Sequence, residues 1–102
     1  MKGKPRRNQL LNPIEVTAPF EHIGIDAVGP LPMMKNGNRY LLVAMDYFTK
    51  WPFVKAVPDI TAETTAKFIH EEIICEHGCF KQLTSDRGTN FTANIIRELC
   101  KD

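Results

Sequence analysis

Two aspartates are the strongest candidates for chemistry in this sequence. Asp26 lies in the alternating stretch HIGIDAVG (22–29), and Asp86 follows 60 positions later in LTSDRGTNF (83–91). Adjacent strands of a sheet can bring two such acids side by side, where bare carboxylates repel each other unless a proton or a divalent cation intervenes. Mg²⁺ takes a few carboxylate oxygens and leaves water positions open for a phosphate. The pair therefore points to phosphoryl-transfer chemistry of the two-metal type.

Several of the polar and aromatic candidates also have structural interpretations. Asp86 alone could cap the turn before the Arg-Gly pair that follows it. Asp46, in AMDYFTKW, fits hydrogen bonding to nearby backbone better than catalysis. Trp51 and Phe53 could stack on bases, but packing in the core is favoured for both.

A second cluster of candidate ligands is His70, Cys75, His77 and Cys79. Zinc sites normally need two well-spaced ligand pairs, and no second pair exists here, so burial of the small thiols is the favoured interpretation. The chain has three cysteines without framework spacing, which favours a reduced, intracellular setting.

Four strands are predicted to position the two aspartates. The first spans 22–29, the second lies in RYLLVAMDYFTKW (39–51), the third in WPFVKAVP (51–58) and the fourth in FKQLTSD (80–86). Asn-Gly at 36–37 suits a tight hairpin turn. The second strand is apolar on both faces, so we expect it inside the sheet and covered on both sides. Prolines at both ends favour an edge position for the third.

Two helices complete the predicted order β-β-β-α-β-α. Thr61 can cap the first helix and Gly78 can stop it, with Glu63 placed well for the helix dipole. The second helix is predicted to begin after Thr92 and to run on to Asp102, since no cap, glycine or proline closes it. That open end indicates truncation. The pattern predicts an α/β fold built on a mixed sheet.

Composition adds limits of its own. The 102 residues are 43% hydrophobic and 25% charged, as in an ordinary globular domain, and no apolar run has the length of a membrane span. The first seven residues carry four basic and no acidic side chains. Residues 1–19 are therefore predicted to be a basic extended linker, which could either contact phosphates or only improve solubility.

Three segments in order resemble the catalytic core of retroviral-type integrases, and in particular the integrases of Ty3/Gypsy-class LTR retrotransposons. They are PFEHIGIDAVGPLP, RYLLVAMDYFTKWPFVKAVP and LTSDRGTNF. The resemblance implies a ribonuclease-H-like fold, with residues 20–102 forming a partial integrase catalytic core that is incomplete at its C-terminus. The implied activity is 3′-end processing of element DNA and its transfer into target DNA.

The resemblance also implies site residues. Asp26 matches the first catalytic aspartate and Asp86 the second, and both would bind Mg²⁺ or Mn²⁺, with Asp26 bridging two ions. The family's third ligand is a glutamate on a later helix, beyond position 102. Glu98 lies only 12 positions after Asp86, on an intervening helix, and does not match it. Hence we expect these residues alone to be catalytically inactive.

Partners and location follow from the same resemblance. It implies element-end and target DNA as partners, a homo-oligomer in the full-length family, no membrane, and the nucleus as the place of action. A zinc-binding module would precede the basic linker in the family. Two other functions stay open: a non-catalytic remnant that binds DNA or protein, and a ribonuclease-H-type nuclease of the same fold.

Overall fold

The computed structural model describes residues 18–32 and 35–101. The predicted linker, residues 1–19, lies almost wholly outside the described residues. The strands are β1 (His22–Val28), β2 (Tyr40–Asp46), β3 (Pro52–Val57) and β4 (Gln82–Thr84). The helices are α1 (Ala62–Ile69), α2 (Cys75–His77) and α3 (Thr89–Leu99), with a 3₁₀ turn at Lys35–Gly37 and a π-helical turn at His70–Ile74.

The four strands form one mixed sheet in the order β3-β2-β1-β4. β1, β2 and β3 pair antiparallel as a meander, and β4 pairs parallel to β1 after the helical crossover. This arrangement confirms the predicted α/β class, the interior position of β2 and the edge position of β3. It also brings β1 and β4, which carry the two candidate segments, into direct contact.

One face of the sheet carries the core. Ile25 pairs with Ala44, and Ala44 in turn pairs with Phe53, so an apolar row crosses three strands. The helices cover this row, and the fully buried side chains they add are Phe68, Ile69, Ile73 and Ile95. Burial of such side chains is the main source of stability in a domain of this size.

The opposite face of the sheet is only partly covered. Met45 is 36% exposed and Val54 is 57% exposed. The prediction that β2 is covered on both sides is therefore wrong within the described residues. The buried residues of α1, the π-helical turn and α3 all belong to the core cluster that contains Ile25 and Ala44. The open face is the one that Asp26 shares, since side chains alternate along a strand.

The crossover helix, which consists of α1, the π-helical turn and α2, has the predicted ends. The Thr61 hydroxyl accepts a hydrogen bond from the Thr64 N–H at 3.2 Å, and Gly78, with φ of 87°, follows the last helical residue. Between those ends the chain widens into the π-helical turn, which the sequence pattern did not indicate. No helix in the described part of the chain combines the length and apolar character that a membrane crossing requires.

The last two elements differ from their predicted bounds. β4 has three residues rather than the predicted seven: pairing begins only at Gln82, and a turn that begins at Ser85 ends the strand. α3 starts at Thr89, a turn earlier than predicted, since Gly88 with φ of 101° leads the chain directly into it. The helix also ends at Leu99 instead of continuing, and its last turn tightens: the Cys100 N–H bonds to the Arg97 carbonyl at 3.2 Å as well as to the Ile96 carbonyl at 3.0 Å, and the Lys101 N–H bonds to the Glu98 carbonyl at 3.2 Å.

Candidate functional site

The pairing of β1 with β4 aligns the two candidate aspartates. Gly24 lies opposite Thr84, and the earlier pairs keep the same offset of 60 positions. Asp26 and Asp86 are each two residues further along, and they too are 60 positions apart. Both aspartates therefore follow the last β1–β4 pair at the same end of the two strands, Asp26 still within β1 and Asp86 in the turn after β4.

The turn after β4 presents Asp86 without using its carboxylate. The Ser85 hydroxyl accepts the Arg87 N–H at 3.0 Å, and the Ser85 carbonyl accepts the Gly88 N–H at 3.4 Å. Ser85 thus makes the turn-capping hydrogen bonds that the structural interpretation of Asp86 had predicted for the Asp86 carboxylate. Among residues 18–32 and 35–101 no hydrogen bond or ion pair engages the exposed Asp86 carboxylate.

Both aspartates line one open cleft of about 260 Å³. Thr84 and Ser85 add hydroxyl groups, and Val43 forms part of an apolar wall. No basic side chain is among the described residues that line it. Within the described part of the chain, Asp26 accepts a single hydrogen bond, from the adjacent Ala27 N–H at 2.9 Å.

This donor set fits a hard divalent cation. Two acidic groups without a basic partner create a negative potential that a cation would neutralise. Mg²⁺ is commonly held by one or two carboxylates, with water and phosphate oxygens completing its shell. The described residues include no group of three or more potential metal ligands, so the cleft offers two carboxylates and open positions.

Behind the carboxylates lies a polar cluster that the sequence analysis missed. His22 Nε2 lies 3.1 Å from Thr84 Oγ1, and the Tyr47 hydroxyl lies 3.3 Å from the same oxygen. The His22 and Tyr47 rings meet edge to face at 4.3 Å. One signal was available: alternation along β1 puts His22 and Asp26 on the same face. The Thr84 contact spans 62 positions and has no local signal.

Glu98 and Asp46 have other roles. Glu98 pairs with Lys101 Nζ at 2.8 Å and is not among the described residues that line the cleft. Asp46 is fully buried and accepts the Phe20 N–H at 2.8 Å, the Thr49 N–H at 2.9 Å and the Thr49 hydroxyl at 2.7 Å. The structural interpretation of Asp46 is confirmed.

The environment of Asp46 stabilises its charged form. Burial alone would raise the pKa of Asp46, but hydrogen bonds from the Thr49 hydroxyl and from backbone N–H groups outweigh it and hold the pKa below the ordinary 3.8. The pKa of His22 is also lowered, but here burial is the dominant cause. Its burial disfavours the imidazolium and lowers the pKa below 6.5, while the nearby Asp46 charge opposes that shift.

These two shifts predict a loss of stability on acidification in two stages. His22 is harder to protonate in the folded chain, so its contribution is complete above pH 6.5 and falls as the pH drops below that value. Asp46 contributes above pH 3.8 and is lost as the pH falls towards its lower folded pKa. Urea unfolding at about pH 7.5, 5 and 3.5 measures both stages. His22→Gln should remove the first stage, and an unchanged unfolding free energy between the two higher pH values would contradict this prediction.

The other ligand candidates do not assemble. His70 and Cys75 approach each other, with Sγ 3.7 Å from Nδ1, but His77 instead stacks on Phe20 at 3.8 Å. All three cysteines are exposed and unpaired with one another, so the expectation of buried thiols is wrong. They lie at the end of the crossover helix, in the segment after it and after α3, where the apolar face has already ended.

The two aromatic candidates, Phe53 and Trp51, differ in burial. Phe53 is 9% exposed and packs in the core, as predicted. Trp51 is 60% exposed, so core packing is wrong for it. Trp51 precedes β3 and follows Lys50, whose φ of 67° turns the chain outward at the end of the hairpin. The side chain lines a groove beside Glu71 and Glu72.

Comparison with known proteins gives a consistent result. The profile of the integrase core domain matches residues 16–102. The retrovirus-related Pol polyprotein from transposon 412 of Drosophila melanogaster is 35% identical over 82 residues, which is 80% of this chain and 7% of that protein. The Gag-Pol polyprotein of walleye dermal sarcoma virus is 38% identical over 81 residues, covering 79% of this chain and 4% of its own length.

A smaller protein matches as well. Gypsy retrotransposon integrase-like protein 1 of Bos taurus is 26% identical over 88 residues, which is 86% of this chain and 17% of that protein. The chain thus spans less than a fifth of each of these three relatives. The profile match and the mixed sheet with its flanking helices confirm the predicted ribonuclease-H-like fold class.

Proposed function

Because the chain belongs to the integrase core domain family, we propose that its carboxylate cleft serves DNA integration. The reaction is polynucleotidyl transfer, comprising 3′-end processing of element DNA and strand transfer into target DNA. One observation carries the proposal: Asp26 and Asp86, neither with an ion-pair partner among the described residues, line one cleft that has no basic side chain in its described lining.

Asp26 and Asp86 are the proposed metal ligands and catalytic residues, for Mg²⁺ or Mn²⁺. A bound divalent ion, held by Asp26 and Asp86, would neutralise charge on the reacting phosphate and help to ionise the attacking oxygen. Their support is the donor set itself, since hard cations prefer carboxylate and water oxygens.

The chain's own contribution is positioning. The β1–β4 pairing brings the segments that carry the two carboxylates together, and the Ser85 turn keeps Asp86 free for a ligand. The attacking oxygen, from water or from a DNA 3′-hydroxyl, forms a new bond to phosphorus in line with the bond that breaks. The departing oxygen leaves as the 3′-hydroxyl of the cleaved strand. Holding these groups in line supplies much of the rate in such transfers.

A non-catalytic binding module is the second candidate. Among the described residues only two acids line the cleft, and two-ion chemistry uses more ligands than that. We therefore expect this 102-residue polypeptide, by itself, to bind metal and DNA without strand transfer. Element ends and target DNA are the proposed partners, and homo-oligomerisation and action in the nucleus are proposed for the full-length protein.

Metal-dependent DNA binding tests the proposal. A short fluorescein-labelled duplex is titrated with the chain, with and without Mg²⁺, and anisotropy is recorded. Wild type should bind about tenfold more tightly with Mg²⁺, because an ion shared by protein and phosphate adds affinity. The double variant Asp26→Asn/Asp86→Asn should lose this gain, whereas Glu98→Gln should keep it.

One result would count against the proposed metal site, and another against the expected inactivity. An equal Mg²⁺ effect in wild type and in the double variant would show that the cleft is not the metal site. Strand-transfer products formed by the isolated polypeptide on a denaturing gel would instead contradict the expected inactivity and favour the enzyme over the binding module.

A further inference from the structure

The Tyr47 hydroxyl occupies a central place behind the carboxylates. A Cβ added to Gly24 would lie 2.8 Å from this oxygen, so Tyr47 covers β1 at the one residue without a side chain. The same oxygen lies 3.3 Å from Thr84 Oγ1 on β4. It therefore spans both strands, two residues before Asp26 on one and two before Asp86 on the other.

Thr84 links this hydroxyl to a buried histidine. His22 is 2% exposed, and its Nε2 lies 3.1 Å from Thr84 Oγ1. Its other nitrogen, Nδ1, is buried and has no hydrogen-bond partner in the described part of the chain. The three polar groups form a chain from His22 through Thr84 to Tyr47, and its hydrogens can run in either direction.

The unpartnered nitrogen of His22 decides the direction of the hydrogen bond between His22 and Thr84. If Tyr47 donated to Thr84 and Thr84 to His22, the imidazole proton would sit on Nδ1 as a buried N–H without an acceptor. In the reverse direction Nε2–H donates to Thr84, Thr84 donates to Tyr47, and Nδ1 keeps only a bare lone pair. Orphaned buried donors are the rarer and costlier case. The lowered pKa of His22 keeps the ring neutral, as this arrangement requires.

Thr84 could also accept from both neighbours, because a hydroxyl oxygen has two lone pairs, but its own proton would then have no acceptor among the described residues. Donation from Thr84 to Tyr47 satisfies that proton, and in this arrangement the Tyr47 proton cannot point at Thr84. No other hydrogen bond engages the Tyr47 hydroxyl among residues 18–32 and 35–101, and that residue lines the carboxylate cleft. Asp26 lies two residues further along its strand, about 6.6 Å by strand geometry, and no hydrogen bond joins its carboxylate to Tyr47. The phenolic donor is therefore free for a ligand in the cleft.

We propose that Tyr47 binds a non-bridging phosphate oxygen of DNA held in the carboxylate cleft, and that Thr84 and His22 are positioning residues that aim its hydroxyl. This inference rests on the proposed function, because it takes a phosphodiester as the ligand. A phosphate oxygen suits the site, since charge-assisted hydrogen bonds to anions are stronger than neutral ones. A cation at the carboxylates would bring that oxygen within the same cleft.

Tyr47→Phe is the direct test, with Tyr40→Phe as its matched control. The chain has only two tyrosines, and Tyr40 lies at the other end of β2, outside the described cleft lining. In the presence of Mg²⁺, Tyr47→Phe should weaken binding of the labelled duplex about tenfold, as expected for one hydrogen bond to a charged group. Mn²⁺ affinity without DNA should stay unchanged. Tyr40→Phe should match wild type in both measurements.

Thr84 and His22 provide independent readouts. Thr84→Val should weaken Mg²⁺-dependent DNA binding as Tyr47→Phe does, and Thr84→Ser should restore it. In long-range ¹H–¹⁵N spectra of the wild-type chain, the His22 proton should reside on Nε2. A proton on Nδ1 would overturn the assigned direction of the hydrogen-bond chain, and with it the inference, whatever the chain does with DNA.

The outcomes separate the two proposals. If Tyr47→Phe binds DNA as wild type while Asp26→Asn/Asp86→Asn loses the Mg²⁺ effect, the inference is overturned and the proposed function stands. If wild type itself shows no Mg²⁺ effect on DNA binding, both are overturned.

Discussion

Replacing Asp86 by asparagine is expected to weaken Mn²⁺ binding on the order of 100-fold, since even indirect partners of metal ligands commonly contribute 10–100-fold. The cleft offers two carboxylates, Asp26 and Asp86, and no third acid among the described lining residues. Asparagine keeps the size of the side chain but removes its charge. Only Asp26 would then neutralise the ion, and the loss of Coulomb attraction accounts for the expected effect.

The measurement is a Mn²⁺ titration followed by electron paramagnetic resonance of the free ion. Asp26→Asn should have a comparable effect, because the two acids share the site. Glu98→Gln is the control: it removes an acid of α3 that pairs with Lys101 outside the cleft. Equal Mn²⁺ affinity for wild type, Asp26→Asn and Asp86→Asn would refute the site, and an equal loss in Glu98→Gln would show only nonspecific attraction.

Replacing Asp46 by alanine is expected to destabilise the fold by about 3 kcal/mol, the range in which buried polar groups lose their partners. Asp46 is fully buried, and its oxygens satisfy the Phe20 N–H and two donors of Thr49. The Phe20 bond spans 26 positions and ties the chain before β1 to the end of β2. Alanine would leave these donors without an acceptor and a cavity beside them.

Urea unfolding followed by circular dichroism measures this cost. Asp59→Ala is the matched control, because Asp59 also accepts two hydrogen bonds, both from Thr61, but at a partly exposed position. It should cost at most about 1 kcal/mol, as exposed capping contacts do. Asp46→Asn preserves the shape and should fall between the two. Similar unfolding free energies for Asp46→Ala and Asp59→Ala would contradict the structural role of Asp46.

The predictions that succeeded rest on local signals. Alternation around Ile23 and Ile25 indicated β1, and the Thr61 cap and Gly78 stop gave the ends of the crossover helix. These features depend on residues a few positions apart, so a single sequence contains them. The resemblance to integrases is confirmed by the profile match, which covers residues 16–102. The assignment of Asp26 and Asp86 as metal ligands stays a prediction.

The failures involve contacts between distant segments. Nothing local to Thr84 indicates that His22 and Tyr47 meet it, because those contacts span 62 and 37 positions. Trp51 was placed in the core from its residue type, yet its environment depends on how the β2–β3 hairpin is packed. The turn at Ser85 likewise replaced the last two predicted residues of β4, since a serine hydroxyl can accept a backbone N–H in place of a strand partner.

The parallel pairing of β1 with β4 has a consequence for how this domain can vary. The cleft needs its two acids at the same end of two paired strands, and the 60 positions between them in the sequence are incidental to that need. Loops in the meander or crossover could lengthen without harm. A slip of β4 by a single residue, however, would turn Asp86 towards the helices and leave Asp26 alone on the open face. The His22–Thr84 contact can form only in the native register, so it also stabilises that register against the slip.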